Sequence, residues 1–429
     1  MDLLNKMREE WDQRAKEDAY YYAAFSRRRQ SDEEFYSTAS ETVSTLETEL
    51  TRLSEGSANS RSALEIGCGP GRLMRALSHH FGSIQGVDIS PQMIAIARNA
   101  LVNIGHASVH VTPHSDLSMI ENDTLDFIYS YTVFQHIPSR EIVLNYLHES
   151  RRVLKPGGIM CCQLRGTPPL ATELGRETDT WTGCYFDLAS IVAFSLAHDF
   201  QLVAISGANT QYMWTTWRKP YISSQGGDLS GLRLTAVTAS KDGSNRVPQL
   251  GPDACISLWV AGVPEGLHLA NSEVVVNGFT CQGCYLSPWT RTGGAQLNAY
   301  LPQNTPLGLN TVELRGLGRR VPEVQTIDVF QTEFRPVLKT VTDAICIGSK
   351  YLIETGGVKV TLQGIEECQN VSFRIDGRAT QIVQIELKDK TSLEYEYSFY
   401  LPRPSARGKV ELEVLIGIER LQSVTLTVA

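Results

Sequence analysis

The 429-residue sequence lacks any long apolar run. No segment approaches the roughly 18 apolar residues of a membrane-spanning helix, and frequent charges near the start leave no apolar stretch for a signal peptide. Basic residues are also few, because 39 Lys and Arg stand against 47 Asp and Glu, for a formal net charge of −8. The sequence therefore predicts a cytoplasmic protein with no membrane partner and no nucleic-acid partner, since phosphates attract basic surfaces.

Cysteine is scarce and thinly spread. The chain has nine cysteines, whose close pairs are Cys161-Cys162 and Cys281-Gln-Gly-Cys284. An odd, scattered set is typical of reduced thiols in a cytoplasm. The Cys281/Cys284 pair is either a redox pair, half of a zinc site or an ordinary pair in a strand or turn. The second CxxC or His pair that would complete a zinc site is missing from the sequence, so no metal is predicted.

The N-terminal part of the chain is helical by pattern. Apolar side chains fall three to four residues apart from Leu3 to Ala15, which predicts one amphipathic helix. Ser31 followed by Glu34 forms a capping-box signature, which predicts a second helix that ends near Ser54. These helices are predicted to form an N-terminal cap, residues 1–60.

The rest of the chain divides into an α/β part and an all-β part. Strands alternate with helices of ten to fifteen residues over residues 61–220, which predicts an α/β domain with a doubly wound, seven-stranded, Rossmann-like sheet. From about Gly226 the helical pattern disappears, and Tyr300-Leu-Pro recurs as Tyr400-Leu-Pro. This repeat predicts two tandem all-β sandwiches of immunoglobulin-like (Ig-like) size at residues 250–335 and 340–429.

The segment from Ala63 to Gly71 carries three alternate glycines, Gly67, Gly69 and Gly71, between a predicted strand and a predicted helix. Glycines there let the backbone turn sharply and bring N–H groups close to a ligand at the positive end of the helix. A nicotinamide site usually reads Gly-x-Gly-x-x-Gly, so this spacing points away from a dinucleotide. The next strand ends at Asp88, where a carboxylate can accept both hydroxyls of a ribose.

On these residues the segment resembles the class I methyltransferases that use S-adenosylmethionine. Further pieces of that family's pattern follow in order: Asp116-Leu117, the stretch Asp126–Ile137, and Leu154-Lys-Pro-Gly-Gly158. The resemblance covers residues 8–217 and implies S-adenosylmethionine as cofactor, with S-adenosylhomocysteine as product.

The resemblance also implies which residues bind the cofactor. Gly67 and Gly69 would approach its methionine part, Asp88 would hold the ribose, and Ile89 or Met93 would pack on the adenine. The other predicted cofactor-binding residues are Glu65, Gly71, Asp116, Leu117, Tyr131, Arg14 and Tyr21.

Several of these residues have a more specific expected role. Asp116 would accept a hydrogen bond from the adenine amino group, and Glu65, inside the first strand, would order the glycine loop. The N-terminal helix is expected to fold over the cofactor as a lid. There Arg14 would pair with the methionine carboxylate, and Tyr21 would close over the sulfonium through cation–π attraction. The alternative is an ordinary amphipathic helix packed on the sheet.

His136 is the candidate catalytic residue. It lies in Phe134-Gln-His-Ile137, after the fourth strand of the predicted sheet, at the edge where ligands of such sheets collect. Methyl transfer is an in-line displacement, so positioning supplies much of the acceleration. A general base is needed only for hydroxyl acceptors or protonated amines. The alternative is a histidine that hydrogen-bonds the neighbouring loop.

The predicted function is methyl transfer from S-adenosylmethionine to an oxygen or nitrogen of a small-molecule or glycan-precursor acceptor. The all-β half would place the acceptor, or mediate assembly as a homodimer or with a partner protein. A binding or assembly protein that only senses the cofactor is the alternative, and a nicotinamide oxidoreductase comes third. Ser130-Tyr-Thr-Val133 stands where Asn-Pro-Pro-Tyr would indicate an adenine or glutamine-amide acceptor, which disfavours those acceptors.

Overall fold

A computed structural model gives the fold of the chain. It describes residues 3–24, 28–53, 56–112, 114–168, 180–181, 183–208, 210–220, 231–251, 253–288, 294–302, 304–316, 319–331, 336–344, 351–365, 367–389, 393–402 and 408–429. Within these ranges, no helix is long and apolar enough to cross a membrane.

The α-helices of the described residues lie in the first half of the chain, where the sequence predicts them. They are α1 Leu3–Ala23, α2 Asp32–Ser37, α3 Ser40–Leu50, α4 Arg72–Leu77, α5 Pro91–Ala100, α6 Arg140–Val153 and α7 Leu188–His198. The strands of the same half are β1 Ser62–Ile66, β2 Ser83–Asp88, β3 Ala107–Val111, β4 Leu125–Ser130, β5 Leu154–Leu164, β6 Gln201–Ser206 and β7 Met213–Arg218.

These seven strands form the central sheet of the α/β domain, in the order β3-β2-β1-β4-β5-β7-β6. The first five strands are parallel, and β7 runs antiparallel to both of its neighbours. Leu46, Leu73 and Ile94 cover one face of the sheet, and Leu147 and Phe194 belong to the core of the other. The predicted doubly wound, seven-stranded sheet is therefore confirmed.

The first helix is kinked at Asp18, whose backbone leaves helical geometry at φ −168° and ψ 87°. The Asp18 carboxylate accepts hydrogen bonds from the Tyr21 amide at 3.1 Å and from the Arg29 amide at 2.8 Å. The carboxylate thereby caps the short helical segment that follows, in the manner of an N-cap residue. As a result, α1 consists of two helical segments with different directions.

The capping box of the second helix is present, as predicted. The Glu34 amide donates to the Ser31 hydroxyl, and the Ser31 amide donates to the Glu34 carboxylate at 2.8 Å. The helix predicted to run on to Ser54 is instead interrupted after α2. The Thr38 hydroxyl donates to the Phe35 carbonyl at 2.6 Å, which satisfies the end of α2 before α3 begins.

The second half of the chain is all-β, as predicted. The first all-β unit contains β8 Arg233–Ala239, β9 Arg246–Pro248, β10 Cys255–Ala261, β11 Ser272–Val276, β12 Phe279–Leu286, β13 Ala295–Tyr300, β14 Gly308–Gly316 and β15 Arg319–Phe330. The second all-β unit contains β16 Val337–Asp343, β17 Leu352–Ile353, β18 Gly357–Gln363, β19 Val371–Ile375, β20 Arg378–Ala379, β21 Ile382–Asp389, β22 Glu394–Tyr400, β23 Gly408–Ile416 and β24 Glu419–Val428.

The first all-β unit is continuous with the α/β domain. Strand β12 pairs with β6 through Tyr285 and Ala204, and a single hydrophobic core extends from Leu202 on β6 to Leu258 and Leu297 in the all-β unit. Strands β8 and β9 precede residue 250 and pair with β10 and β15 of this unit. The predicted domain boundaries and the Ig-like character stay predictions.

The second all-β unit has a hydrophobic core of its own. Its two sheets have the orders β16-β18-β22-β21 and β17-β24-β23-β19-β20. Val360 and Phe399 from the first sheet and Phe373 and Leu412 from the second are buried together in one separate cluster. This unit is therefore a two-layer sandwich that is stabilised from within.

Candidate active site

The loop after β1 leads into α4 through Gly67, Gly69 and Gly71, which all have positive φ angles. A Cβ atom on Gly67 would lie 2.2 Å from a methyl carbon of Val133, so no side chain fits there. For Gly69, the nearest heavy atom to such a Cβ atom would be the Ala23 Cβ, at 3.8 Å. The loop therefore packs tightly at its start and presents bare backbone beside open space at Gly69.

The carboxylate of Asp88, at the end of β2, is held next to this loop. One oxygen accepts a hydrogen bond from the Gly69 amide and the other from the Ser90 amide, each at 2.9 Å. Burial raises the pKa of Asp88, while the backbone hydrogen bonds oppose that shift. An ionised carboxylate offers about four lone-pair sites, so Asp88 retains capacity for two further donors.

Glu65 is buried within β1, where the sequence predicts it. Its Oε2 atom accepts a hydrogen bond from the Tyr129 hydroxyl at 3.0 Å. Burial raises the pKa of Glu65 to about 8, although the Tyr129 hydrogen bond and the charge of Arg72 lower it. Glu65 is therefore mostly protonated at neutral pH, and its proton is lost near pH 8.

A cavity of about 950 Å³, counting the open space at its mouth, lies against these residues. Seven of the predicted cofactor-binding residues line it: Glu65, Gly67, Gly69, Asp88, Ile89, Met93 and Tyr131. The structure thus brings together residues that three separate segments of the sequence contribute.

The N-terminal helix forms one wall of this cavity. Its lining residues are Leu4, Met7, Trp11, Tyr22 and Ala23. They come from both sides of the kink at Asp18, so the bend lets one helix follow the curved wall. Closure of this helix over the cofactor as a lid stays a prediction.

Arg14 and Tyr21, predicted on this helix to contact the cofactor, lie outside the lining. The Arg14 guanidinium donates to the Thr180 hydroxyl at 2.9 Å and lies over the Trp11 ring at 4.7 Å. Tyr21 is buried under the Arg28 guanidinium, 4.3 Å from its ring centroid. Tyr21 follows the kink, so the helical spacing before Asp18 does not predict which way it faces. Arg14 precedes the kink, and its contacts with Thr180 and Trp11 account for its position.

Gly71, Asp116 and Leu117 also lie outside the lining. Gly71 is the N-cap of α4, with a φ of 81°. The Asp116 carboxylate accepts hydrogen bonds from the Ser118 amide at 3.2 Å and hydroxyl at 2.7 Å, which lower its pKa. Leu117 is fully buried in the core. Contact of these three residues with the cofactor stays a prediction.

His136 lies in an aromatic cluster beside the cavity, outside its lining. Its ring centroid is 5.4 Å from that of Trp11 and 4.9 Å from that of Trp181. Its Nδ1 atom is 2.6 Å from the Trp181 carbonyl oxygen. That contact requires the proton on Nδ1, which makes Nε2 the basic nitrogen of the neutral ring. The loop contact matches the alternative interpretation of His136, and a catalytic role stays a prediction.

Arg72 also lines the cavity, although the sequence does not predict it as a site residue. It is 6% exposed, donates from Nη1 to the Thr38 carbonyl at 2.9 Å, and lies over the Tyr131 ring at 5.4 Å. Burial lowers its pKa, while Tyr131 and Glu65 raise it. Arginine remains charged even so. One feature of the sequence could have indicated Arg72 as a site residue. It is a basic residue directly after Gly71, at the positive end of α4, where a cation is disfavoured.

Residues 64–162 match the family model described as "Methyltransferase domain". The matched segment begins in β1, ends in β5 and includes the glycine loop and Asp88. The chain contains a methyltransferase domain. The match confirms the predicted resemblance to the class I, S-adenosylmethionine-dependent family.

Curated relatives resemble part of this methyltransferase domain. A ubiquinone biosynthesis O-methyltransferase from Hydrogenovibrio crunogenus is 24% identical over 103 residues, which are 24% of this chain and 42% of that protein. The enzyme of the same name from Cereibacter sphaeroides is 27% identical over 118 residues, 28% of this chain and 47% of that protein. The chain thus spans less than half the length of these relatives.

Solved structures align with about half of the chain. A geranyl diphosphate C-methyltransferase from Streptomyces coelicolor A3(2) has a TM-score of 0.37 and 12% identity, and covers 51% of this chain and 98% of its own. A methyltransferase complex with the Trm112 activator from Haloferax volcanii has a TM-score of 0.37 and 17% identity, and covers 50% of this chain and 98% of its own.

Proposed function

We propose that this chain is an enzyme that transfers the methyl group of S-adenosylmethionine to an oxygen or nitrogen atom of a small-molecule or glycan-precursor acceptor. The observation that carries the proposal is the Asp88 carboxylate, which the Gly69 amide holds at the cavity wall. The names of the curated relatives, which are O-methyltransferases, support oxygen as the acceptor atom.

The residues of the cavity fit this cofactor. Asp88 has lone pairs for two ribose hydroxyls, and Gly69 leaves room for the cofactor beside its backbone. Arg72 supplies positive charge for a carboxylate. Trp11, Tyr22 and Tyr131 place aromatic rings on the wall, and such rings attract a cation. When bound, the cofactor supplies a methyl group on a positively charged sulfur.

The transfer itself needs an aligned acceptor more than a reactive side chain. A hydroxyl acceptor must also lose its proton, for which Nε2 of His136 is the candidate base. The Trp181 carbonyl holds the His136 ring in the tautomer that this role requires.

Calorimetric titration with S-adenosylmethionine and S-adenosylhomocysteine tests the proposal. Both should bind the full chain, and Asp88→Ala should weaken both strongly. Equal binding by the variant, or binding of NAD in their place, would overturn the assignment. Release of S-adenosylhomocysteine, screened against small molecules and nucleotide sugars, then separates an enzyme from a binding protein that only senses the cofactor.

We also propose a cytoplasmic location, because the nine cysteines are an odd and scattered set. Cys284 lies with its Sγ atom 4.0 Å from that of Cys255, on β10, rather than forming a disulfide with Cys281. Assembly as a homodimer or with a partner through the all-β units remains part of the proposal. Mass analysis after alkylation would count the free thiols.

A further inference from the structure

The turn between β6 and β7 meets the second all-β unit at the ligand-binding edge of the central sheet. Because β7 is antiparallel to β5, its first residue, Met213, pairs with Leu164, the last residue of β5. Tyr212 therefore lies at the carboxyl edge of the parallel strands, where ligands of such sheets bind. The Tyr212 hydroxyl accepts a hydrogen bond of 2.8 Å from Nε2 of Gln384 on β21. The second all-β unit thus contacts the methyltransferase domain on its functional edge.

The contact involves one polar sheet face of this unit. Gln384 pairs directly with Ser398, Glu386 with Glu396, and Lys359 with Ser398. Directly paired residues lie on the same side of a sheet. These five side chains therefore share one face, which we call the polar face, and the opposite side of the same strands faces the core.

The polar face is enclosed by protein but still reached by solvent. The side chains of Glu386, Glu396 and Lys359 keep 29%, 16% and 19% of their exposure. Burial nevertheless raises the pKa of Glu386, and burial together with the charge of Glu386 raises that of Tyr212. These partly exposed side chains face the side on which Gln384 reaches Tyr212, and we call the space between the polar face and Tyr212 the cleft.

Tyr131 connects the cofactor cavity to the strand that begins beside Tyr212. It lines the cavity, and its ring stacks on Trp214 of β7, with ring centroids 5.8 Å apart. Trp214 is two residues from Tyr212, so the cavity and the cleft both adjoin the start of β7.

The charges on the polar face are balanced. Glu386 and Glu396 lie directly opposite one another, an arrangement that destabilises a sheet unless the charges are compensated. Lys359 lies 2.9 Å from Glu396, and Lys388 lies 3.3 Å from Glu386. With each carboxylate paired, the face offers lone pairs to hydrogen-bond donors but little net charge to a cation.

Ser398 adds an unsatisfied group to this face. Its side chain is 7% exposed, and its hydroxyl has no hydrogen-bond partner among the described residues. A buried hydroxyl without a partner is costly. A ligand with polar groups would satisfy it.

We propose that the cleft between the polar face and Tyr212 binds the acceptor, and that the acceptor is an uncharged, hydroxyl-rich molecule of glycosyl type. The proposal rests on the proposed methyltransferase function and names the substrate class of the same site. The carboxylate of Glu386 and the hydroxyl of Ser398 are groups that bind sugar hydroxyls. Because both carboxylates are ion-paired, neither an ammonium compound nor a phosphorylated sugar fits as well as a neutral glycoside.

Saturation-transfer NMR on the full chain saturated with S-adenosylhomocysteine tests this proposal. The probes are methyl glycosides of neutral sugars, choline and nucleotide sugars. Neutral glycosides should bind, and Glu386→Gln and Ser398→Ala should each weaken that binding about tenfold, the loss of one good hydrogen bond. The matched control is Glu413→Gln, which breaks the ion pair with Arg420 on the other sheet of the unit and should change nothing.

Three results would overturn the proposal: no probe binds, only choline or nucleotide sugars bind, or glycosides bind the two variants as well as the wild type. Calorimetry of S-adenosylhomocysteine binding distinguishes the proposed methyltransferase function from the proposed glycosyl acceptor. Glu386→Gln should leave the affinity for S-adenosylhomocysteine unchanged. A chain that binds S-adenosylhomocysteine but no glycoside retains the methyltransferase function and loses this substrate class. A chain that binds glycosides but no S-adenosylhomocysteine loses the methyltransferase function.

Discussion

Asp88 and Gly69 are joined by a 2.9 Å hydrogen bond from the Gly69 amide to the Asp88 carboxylate. The bond ties the end of β2 to the middle of the glycine loop. The carboxylate therefore has two roles, because it orders the loop and is the expected ribose ligand. Two substitutions at Asp88 are needed to separate these roles, and one of the two must preserve the shape of the side chain.

Asp88→Asn keeps the shape and one acceptor oxygen, whereas Asp88→Ala removes both. We expect Asp88→Asn to weaken S-adenosylhomocysteine binding about tenfold and Asp88→Ala about a hundredfold or more, since hydrogen bonds to a charged group contribute about 1.5–3 kcal/mol each. Calorimetry measures both affinities. Asp242→Asn, on a surface turn of the first all-β unit, is the control and should bind like the wild type; equal losses in all three variants would contradict the assignment.

The two glycines at the start of the loop should respond differently to alanine. Gly67→Ala brings its Cβ atom 2.2 Å from Val133 at a φ of 72°, so we expect a loss of about 3 kcal/mol in the free energy of unfolding. Gly69→Ala meets no atom within 3.8 Å, so we expect about 1 kcal/mol from its positive φ, with weaker cofactor binding. Adding Val133→Ala should rescue part of the Gly67→Ala loss in urea unfolding. No rescue would show that the backbone alone sets the cost.

The fold of the methyltransferase domain could be predicted because its signals are local. The alternation of strands and helices depends on neighbouring residues, and so does a helix cap such as Ser31 with Glu34. The structure contains the alternating elements and this cap. The continuity between β6 and β12 could not be predicted in the same way. It depends on the pairing of Ala204 with Tyr285, residues far apart in sequence, and edge-strand pairing leaves no periodic signal.

The site shows the same division between local and distant signals. Gly67, Gly69 and Asp88 follow from a motif whose spacing reflects backbone geometry, and they line the cavity. Arg14 and Tyr21 are predicted from the resemblance and from their place on the N-terminal helix, and they lie outside the lining. Tyr21 follows the kink at Asp18, and Arg14 is held by Thr180 and Trp11. Composition places a residue on an element, whereas contacts with other elements decide which side chain reaches the cavity.

A catalytic role of His136 predicts a specific kinetic effect. If Nε2 accepts the proton of a hydroxyl acceptor, His136→Gln should lower kcat about a hundredfold, within the range that general bases supply. S-adenosylhomocysteine affinity should stay within about twofold, because His136 lies outside the cavity lining. The steady-state kcat and the calorimetric affinity are measured on the same preparations. A His136→Gln variant with unchanged kcat would leave His136 as a loop anchor for Trp181.

Glu65 predicts how stability depends on pH. Tyr129 and Arg72 favour its charged form and Asp88 opposes it, but burial dominates and raises the pKa from 4.5 to about 8. Between these two values the unfolded chain has lost the proton that the folded chain keeps. Unfolding therefore releases a proton, and stability falls as the pH rises through this window.

Glu65→Gln removes this titration. The difference in free energy of unfolding between Glu65→Gln and the wild type should shift in favour of the variant by up to about 3 kcal/mol from pH 5 to pH 8. Chemical unfolding at several pH values measures it. Glu419→Gln, at the exposed start of β24, is the control for the loss of one carboxylate.

The shared core predicts where the chain can be shortened. A fragment of residues 1–220 loses the all-β strand that pairs with β6 and exposes core side chains such as Leu202, so we expect it to aggregate or unfold. A fragment of residues 1–331 loses only the second all-β unit, whose core is separate. It should unfold cooperatively and bind S-adenosylhomocysteine, yet bind no glycoside, because the polar face is gone. Differential scanning calorimetry and titration distinguish these outcomes, and a stable, monomeric 1–220 fragment would show that the methyltransferase domain folds without the first all-β unit.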